Sequence, residues 1–360
     1  TRVDSVLNQK NSLYARYFLD GYQNPAYFSP TNVLITSTAG AYERVQSLTV
    51  GETYVVNSKI VNTFHATATR RAQTRGPAPV DFNPSTIGVD SYVATKTYFQ
   101  LTTSSKFNVY CGSCSPAQYT DNLFSFADDV SMALGKHQIV FGGEYARNQL
   151  NINTASSANG NFTFSGIYSQ FGPTGSGGAG TGEDANLDFL TGAMSAFSQN
   201  TLQQNAERAP IPSLYAQDAY HASPRLVVTV GLRWAPVFMP VDVFNRGSIF
   251  DPTAFASNLH SAIYPNAPAG LMFYGDKGVP RAFTKNSPWQ FGPNVGITYD
   301  PTGKGKTVLR TGWELTYDVP NFFTGQRVYR NPPNSASITN NQLNVPLSFS
   351  SPWSTGTQIG

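Results

Sequence analysis

Three short stretches carry residue types at spacings that chemistry could use. Residues 300–310 read DPTGKGKTVLR, and Gly305-Lys306-Thr307 resembles the end of a phosphate-binding loop. Such a loop needs its first glycine at position 300 and a helix after Thr307, so that backbone N–H groups and the lysine cradle a phosphate. Position 300 is Asp300, and residues 307–319 alternate like a strand. Asp-Pro-Thr-Gly is turn chemistry, because Pro presets φ and Gly accepts a positive φ. The stretch is read as a hairpin turn. Residues 172–184, GPTGSGGAGTGED, contain a GxGxxG at Gly175, Gly177 and Gly180. No alternation of strands and helices surrounds it, so it is read as a flexible loop.

The third stretch is CGSC, with Cys111 and Cys114 the only two cysteines. It could be a redox dithiol, half a metal site or a disulfide. No second CxxC and no nearby His accompany it, which argues against zinc, and no thioredoxin-like context supports redox work. A local disulfide in a long exposed loop is the expectation. His65, His137, His221 and His260 are scattered without ligand spacing. The carboxylate pairs Asp128-Asp129 and Glu183-Asp184 are read as solvated. No grouping of nucleophile, base and orienting residue stands out. No enzymatic activity, metal or cofactor is expected.

The elements that would position these residues are β-strands. Among 360 residues only 12% are charged, about half the usual share, while Tyr and Phe number 19 and 24. A soluble enzyme keeps a Lys/Glu-rich surface, and this chain does not. No run of about 18 apolar residues exists, so no transmembrane helix is expected. The net charge of +3 gives no reason to expect nucleic acid. Weak charge, abundant aromatics and no apolar run fit a transmembrane β-barrel. Residues 307–319, TVLRTGWELTYDV, place Leu309, Trp313, Leu315 and Tyr317 on one parity and Arg310, Glu314 and Asp318 on the other. Side chains alternate across a strand, so one face is apolar and the other polar. Residues 225–235 repeat this, with Leu226, Val228, Val230, Leu232 and Trp234 opposite Arg225 and Arg233. In 137–147, Ile139, Phe141 and Tyr145 stand opposite Glu144.

The connections alternate too. Short turns at 57–58, 134–136, 222–224 and 301–305 join strand-like runs, and long Gly/Pro/Asn/Ser-rich stretches cover 75–120, 237–288 and 320–340. Short turns on one rim and long loops on the other is the outer-membrane barrel layout. Residues 46–55 run towards the short-turn rim and 59–74 away. Residues 121–133 return and 137–150 leave. After 160–169, DANLDFLTG at 184–192 forms one helical turn on that rim. Then 193–206 leaves, 211–221 returns, 225–236 leaves, 289–300 returns and 306–319 leaves. With 11–20 at the start and 341–350 at the end, about a dozen strands are expected.

Several segments, in order, resemble one family: GKHQIVFGGEY (135–145), NFTFSG (161–166), LDFLTG (187–192), LYAQDAYHASPRLVVTVGLRW (214–234), GDKGVPRAF (275–283) and FGPNVGITYDPTGKGKTVLRTGWELTYD (291–318). Together they resemble the barrel of TonB-dependent outer-membrane receptors of the Oar-like, acidobacterial type. The resemblance implies an all-β, antiparallel, up-and-down transmembrane β-barrel of roughly 22 strands, plugged by an N-terminal domain and often preceded by a carboxypeptidase-regulatory-like domain. It implies Gram-negative cell outer membrane localisation, no enzymatic activity, and uptake of a large or scarce solute, powered by the TonB complex acting through the plug. Residues 1–360 are read as a partial barrel, with plug and terminal strands outside it. The start at Thr1 without a signal-like segment, and an end at STGTQIG without a terminal aromatic strand, are read in the same sense.

Two alternatives share the strand pattern: a passive porin-like or structural barrel, and a secreted β-sandwich or adhesin. Under the barrel reading, Glu144, Arg225, Arg233, Arg310, Glu314 and Asp318 face the lumen. Leu226, Val228, Val230, Leu232, Trp234, Leu309, Trp313, Leu315 and Tyr317 face lipid. Tyr92, Tyr98, Tyr264 and Phe273 are loop aromatics that could stack on the unknown solute. Lys306→Ala is expected to leave function almost intact, and Leu309→Arg to impair membrane assembly.

Overall fold

The computed structural model describes residues 1–36, 39–110, 114–169, 184–318, 326–341 and 345–353. Ten strands form one antiparallel sheet, each beside the strand before it in the chain. They are β1 (Arg2–Val6), β2 (Asn11–Asn24), β3 (Gly40–Asn57), β4 (Ile60–Gly76), β5 (Ala117–Leu134), β6 (His137–Thr154), β7 (Gln203–Ser223), β8 (Leu226–Trp234), β9 (Phe291–Tyr299) and β10 (Leu309–Glu314). A short strand, Val241–Asp242, adds to β7 at Glu207 and Arg208. Strand order equal to chain order is the up-and-down arrangement, and no described helix is long and apolar enough to cross a membrane.

Local chemistry sets the alternation of the connections. Between β5 and β6 only Gly135 and Lys136 intervene, and Gly135 has φ of 62°, as a tight hairpin requires. The connections at 58–59, 135–136, 224–225 and 300–308 are short, as is 7–10, so they share one rim. The connections 25–39, 77–116, 155–202 and 235–290 rise from the other rim. The short-turn and long-loop layout read from the sequence is therefore observed. Among the described residues β1 and β10 each have one neighbour, so the sheet has two free edges and the barrel is not closed.

Three expected wall strands are not in the wall. Residues 160–169 contribute only Asn161–Phe164, and 193–206 contribute Ala193–Met194 and Ala196–Asn200 outside the main sheet, with only Gln203–Ala206 entering the wall as the start of β7. The segment 211–221 is the end of β7, a single 21-residue strand that starts at Gln203. Pro210 and Pro212 do not break it. They lie in the stretch 209–213, which has β6 on one side, while pairing with β8 begins at Leu214. A strand with one side unpaired tolerates missing N–H donors. Among the described residues of 341–350, Asn341 ends the short strand Ser337–Asn341 and Leu347–Ser348 pairs with Ala193–Met194, neither in the wall.

These displaced segments build a cap on the long-loop rim. Gln100–Thr103, Phe107–Val109, Asn161–Phe164, Ala196–Asn200 and Ser337–Asn341 form a separate five-stranded sheet. Its core is aromatic: Tyr98, Phe99, Phe162, Phe164, Phe197, Met194 and Leu347 are fully buried or nearly so. Phe162 meets Phe99, Phe197 and Phe349 with ring centroids 5.0–6.0 Å apart. Burial of so much aromatic area, with edge-to-face contacts adding to it, stabilises the connections 77–116 and 155–202 and the segment after β10 as one body. The helix expected at 184–192 exists as Ala185–Thr191, capped by Asp184 and ended by Gly192 at φ 72°. It packs in this cap, through Phe189 against Phe107 and Phe164, on the rim opposite the one expected.

Candidate functional site: a polar wall face beneath a loop cap

Register divides the wall into two chemically distinct faces. On one, Leu226, Val228, Val230, Leu232 and Trp234 pair with Tyr299, Ile297, Val295, Pro293 and Phe291. Leu309 and Trp313 continue the face beyond Tyr299 and Val295. On the other side of β8, Leu214, Ala216 and Tyr220 extend it to Phe141, Ile139 and Tyr145 on β6 and to Phe126, Val130 and Met132 on β5. Large side chains here are open to the surroundings, Val230 at 54% and Trp313 at 61%. A core would bury them, so an apolar surroundings is their natural medium. On β9 this face runs from Phe291 to Tyr299, nine residues or about 27 Å along the strand. Allowing for strand tilt, this suits a lipid band roughly 25 Å tall with aromatic edges.

The apolar face is not unbroken. Asp128 lies on it and accepts a hydrogen bond from Asn62 Nδ2 at 2.7 Å. Near the short turns, His137 and Asp218 are paired at 2.6 Å. Towards the long loops a polar row, Gln46, Arg70, Asn122, Gln149 and Arg208, crosses five adjacent strands in register. Arg70 donates to Asn122 at 3.1 Å. This row ends the apolar band. The parts of β3 to β7 beyond it, including residues 203–207, extend past the membrane-spanning segments.

The opposite face carries the polar side chains. Glu144 pairs with Ala127 and Ser213, and Arg233 donates to Ser213 Oγ at 2.9 Å. Tyr215 donates to Asp129 at 2.5 Å, and Arg71 binds Glu43 at 2.6 Å. Threonine and serine hydroxyls form cross-strand rungs, Ser47 with Thr69 and Thr49 with Thr67. Glycines open space for neighbours: the Tyr14 ring lies where a Gly51 Cβ would stand. Arg310 and Glu314, opposite Thr298 and Asn294, complete the face.

Four expected placements need correction. Arg225 has the polar parity but precedes β8, in a turn, with its guanidinium against Gly303 of the next turn. It is a rim residue, because the strand has not begun. Asp318, Leu315 and Tyr317 follow the last residue of β10 and belong to no strand, although the Leu315 N–H still bonds Pro293 O at 3.0 Å. Tyr98 and Phe273 are 0% and 3% exposed, each packed inside its own loop body, so neither offers a ring to a solute. Tyr264, 42% exposed, stacks edgewise on Phe273 at 4.5 Å, and Tyr92 is 38% exposed. Cys114 is disulfide-bonded and buried in the cap core, not in an exposed loop; Cys111 lies outside the described residues, as do Gly175, Gly177, Gly180 and Glu183.

A cluster that the sequence did not single out joins wall to loops. Asp242 is fully buried and accepts from Ala206 N at 2.9 Å, Phe244 N at 3.1 Å and Arg246 N at 3.2 Å. Arg246 also binds it in a fork at 2.8–2.9 Å. Burial works to raise this carboxyl, but Arg246 and the N–H groups outweigh it and hold it below the usual range. Its cross-strand partner Glu207 is also fully buried, and neither carboxyl oxygen has a hydrogen-bond partner among the described residues. Burial, with Asp242 beside it, pushes Glu207 up to about 8. A lone Glu inside NAERAPIPSLYA was the available signal, since a buried acid this far from a partner is rare.

The stretch 300–308 is a turn between β9 and β10, not the entrance to a helix. Asp300 organises it, accepting from Thr302 N at 3.0 Å, Gly303 N at 2.9 Å and Gly305 N at 2.7 Å. Gly303 and Gly305 have φ of 65° and 68°. Donors that a phosphate would need are thus spent on Asp300. The Gly305 N–H above all holds this carboxyl below its ordinary value. A depressed carboxylate gives the turn order above its unfolded titration range, lost as pH falls through the folded value. Amide exchange at Gly305 is therefore expected to lose protection at acid pH, and in Asp300→Ala to lose it at all pH values. Unchanged protection in Asp300→Ala would remove this account of the turn.

Comparison with curated proteins finds no match. The profile of a family described as an outer membrane beta barrel domain matches residues 1–359, so the chain belongs to that family and resides in the outer membrane.

Proposed function

We propose that this barrel wall is part of a TonB-dependent receptor of the Oar-like kind, importing a solute too large or too scarce for passive diffusion. The observation that carries the reading is the loop cap. Two long connections, 77–116 and 155–202, and the segment after β10 spend their aromatic side chains on a shared core above the wall, and a simple diffusion pore has no use for a folded body there. The polar face, with Glu144, Arg233, Arg310 and Glu314, supplies a hydrated lining for a plug or a passing solute. The free edges of β1 and β10 require further strands in lipid, since unpaired backbone cannot stand there. Energy would come from the TonB complex through a plug domain, and exposed cap and loop aromatics such as Tyr92 and Tyr264 would meet the solute.

The alternative is a passive porin-like barrel, which shares the strand pattern. Planar-bilayer conductance of the intact protein separates the two. A plugged receptor is expected to pass little current until its plug is deleted. A steady open-channel current from the intact protein would sink the receptor reading in favour of the porin.

A further inference from the structure

The five short turns share a property that neither transport nor closure of the wall explains. Each carries a cation: Lys10, Lys59, Lys136, Arg225, and Lys304 with Lys306. All six side chains are exposed. These turns hold six of the chain's 24 basic residues and one of its 21 acidic ones, Asp300. Asp300 is occupied by the N–H groups of its own turn. Because successive turns are two strands apart, the cations recur about every 10 Å along the rim. Two of them are held against the rim: Lys10 Nζ reaches Val56 O at 3.4 Å, and Lys136 Nζ reaches Ala222 O at 3.3 Å. Arg225 rests on Gly303.

Their depth matters as much as their sign. Lys59, Lys136, Arg225 and Lys306 lie within a few residues of Tyr54, Leu134, Tyr220, Tyr299 and Leu309, which end the apolar band on this side. A cation one step beyond hydrocarbon sits level with lipid phosphates. An acidic protein would have to approach a rim whose charges already lie in the headgroup layer. We propose that the short-turn rim binds anionic phospholipid headgroups, phosphatidylglycerol or its dimeric relatives, in the leaflet that faces the periplasm. This depends only on the membrane placement of the wall and holds for receptor and porin alike.

The test is electron spin resonance of the intact protein reconstituted in bilayers with trace spin-labelled phosphatidylglycerol or phosphatidylcholine. The fraction of label slowed at the protein surface measures preference. The wild type is expected to prefer phosphatidylglycerol severalfold at low salt, and to lose the preference near 0.5 M salt, where screening is short-ranged. Replacing Lys10, Lys59, Lys136, Lys304 and Lys306 together by Gln leaves Arg225 as the one cation of these turns and is expected to remove most of the preference, about fivefold at each headgroup whose cation is lost. Lys277→Gln with Lys285→Gln, in the 235–290 loop, is expected to keep it. A wild type without preference, a five-site variant that retains it, or a loop variant that loses as much would each overturn the proposal. An acidic periplasmic partner as the true occupant would appear as the first of these. The salt titration of the wild type needs no variant, so a misfolded variant does not protect the proposal.

Discussion

Val295→Arg is expected to cost about 2–4 kcal/mol of stability in the membrane, and to leave most of the protein unassembled. Val295 stands at the middle of β9, between Val230 and Trp313 on the apolar face, and is 43% exposed. An arginine there has no partner among these neighbours and lies far from both interfaces. Leu309→Arg, the substitution the sequence alone suggested, is expected to cost only about 0–1 kcal/mol. Leu309 begins β10 beside the short turn, where its side chain can reach water. Denaturant titration of the intact protein in lipid vesicles, followed by heat-modifiable migration on gels, measures both. If the two variants were equally stable, the apolar face would not lie in lipid at the depth assigned here.

The second large effect lies at the junction of β7 with the 235–290 loop. Removing the Asp242 carboxylate in Asp242→Ala strands the Arg246 guanidinium and leaves the N–H groups of Ala206, Phe244 and Arg246 without their acceptor. Breaking a buried pair of this kind costs about 3–5 kcal/mol. Protection of those amides against exchange should fall accordingly, because the loop opens locally before the wall does. Glu207→Gln should act in the opposite direction. Glu207 binds a proton more tightly folded than unfolded, so stability falls as pH rises from about 4.5, the ordinary glutamate value, through about 8. A shift of that size is worth roughly 4–5 kcal/mol at the alkaline end. Glu207→Gln should therefore raise protection of Ala206 and Arg246 at pH 8 and flatten its pH dependence, while changing little at pH 4. A steep residual fall in the variant would assign the dependence to another group.

The two predictions draw on different kinds of information. The alternation that places Val230, Val295 and Trp313 on one face was legible because the strand period is two, and every residue of a run repeats the same statement. The position of Val295 at mid-depth was not legible. Depth depends on which residues pair across neighbouring strands, and 225–235 and 307–319 contain no statement of their register with 291–299. The Glu207 junction was invisible for a related reason. Glu207 and Asp242 are 35 positions apart, and only the return of Val241–Asp242 alongside β7 brings two carboxyls together.

The cap shows the same division. Segments 160–169 and 193–206 have strand-forming residues, and the chain indeed makes strands there. Strand propensity does not say which sheet a strand joins, because it reports fit to a pleated, half-buried surface of any kind. Phe162, Phe164 and Phe197 choose each other over the wall because burying aromatic rings in a shared core removes more apolar area from water than an extension of the wall above the membrane would. The same ambiguity moved the helix at 185–191 from one rim to the other, and split β7 into the expected runs 193–206 and 211–221.

By itself the sequence determined the class of the protein. Low charge, period-two faces and the rhythm of short turns and long loops specify an up-and-down membrane wall, since each follows from local geometry and from the cost of polar groups in lipid. The tertiary structure alone decided which long connections fold together, which aromatics are spent on that fold and so withheld from a solute, and where a buried acid meets another. Those outcomes depend on contacts between residues distant in the chain, whose energies no local pattern encodes.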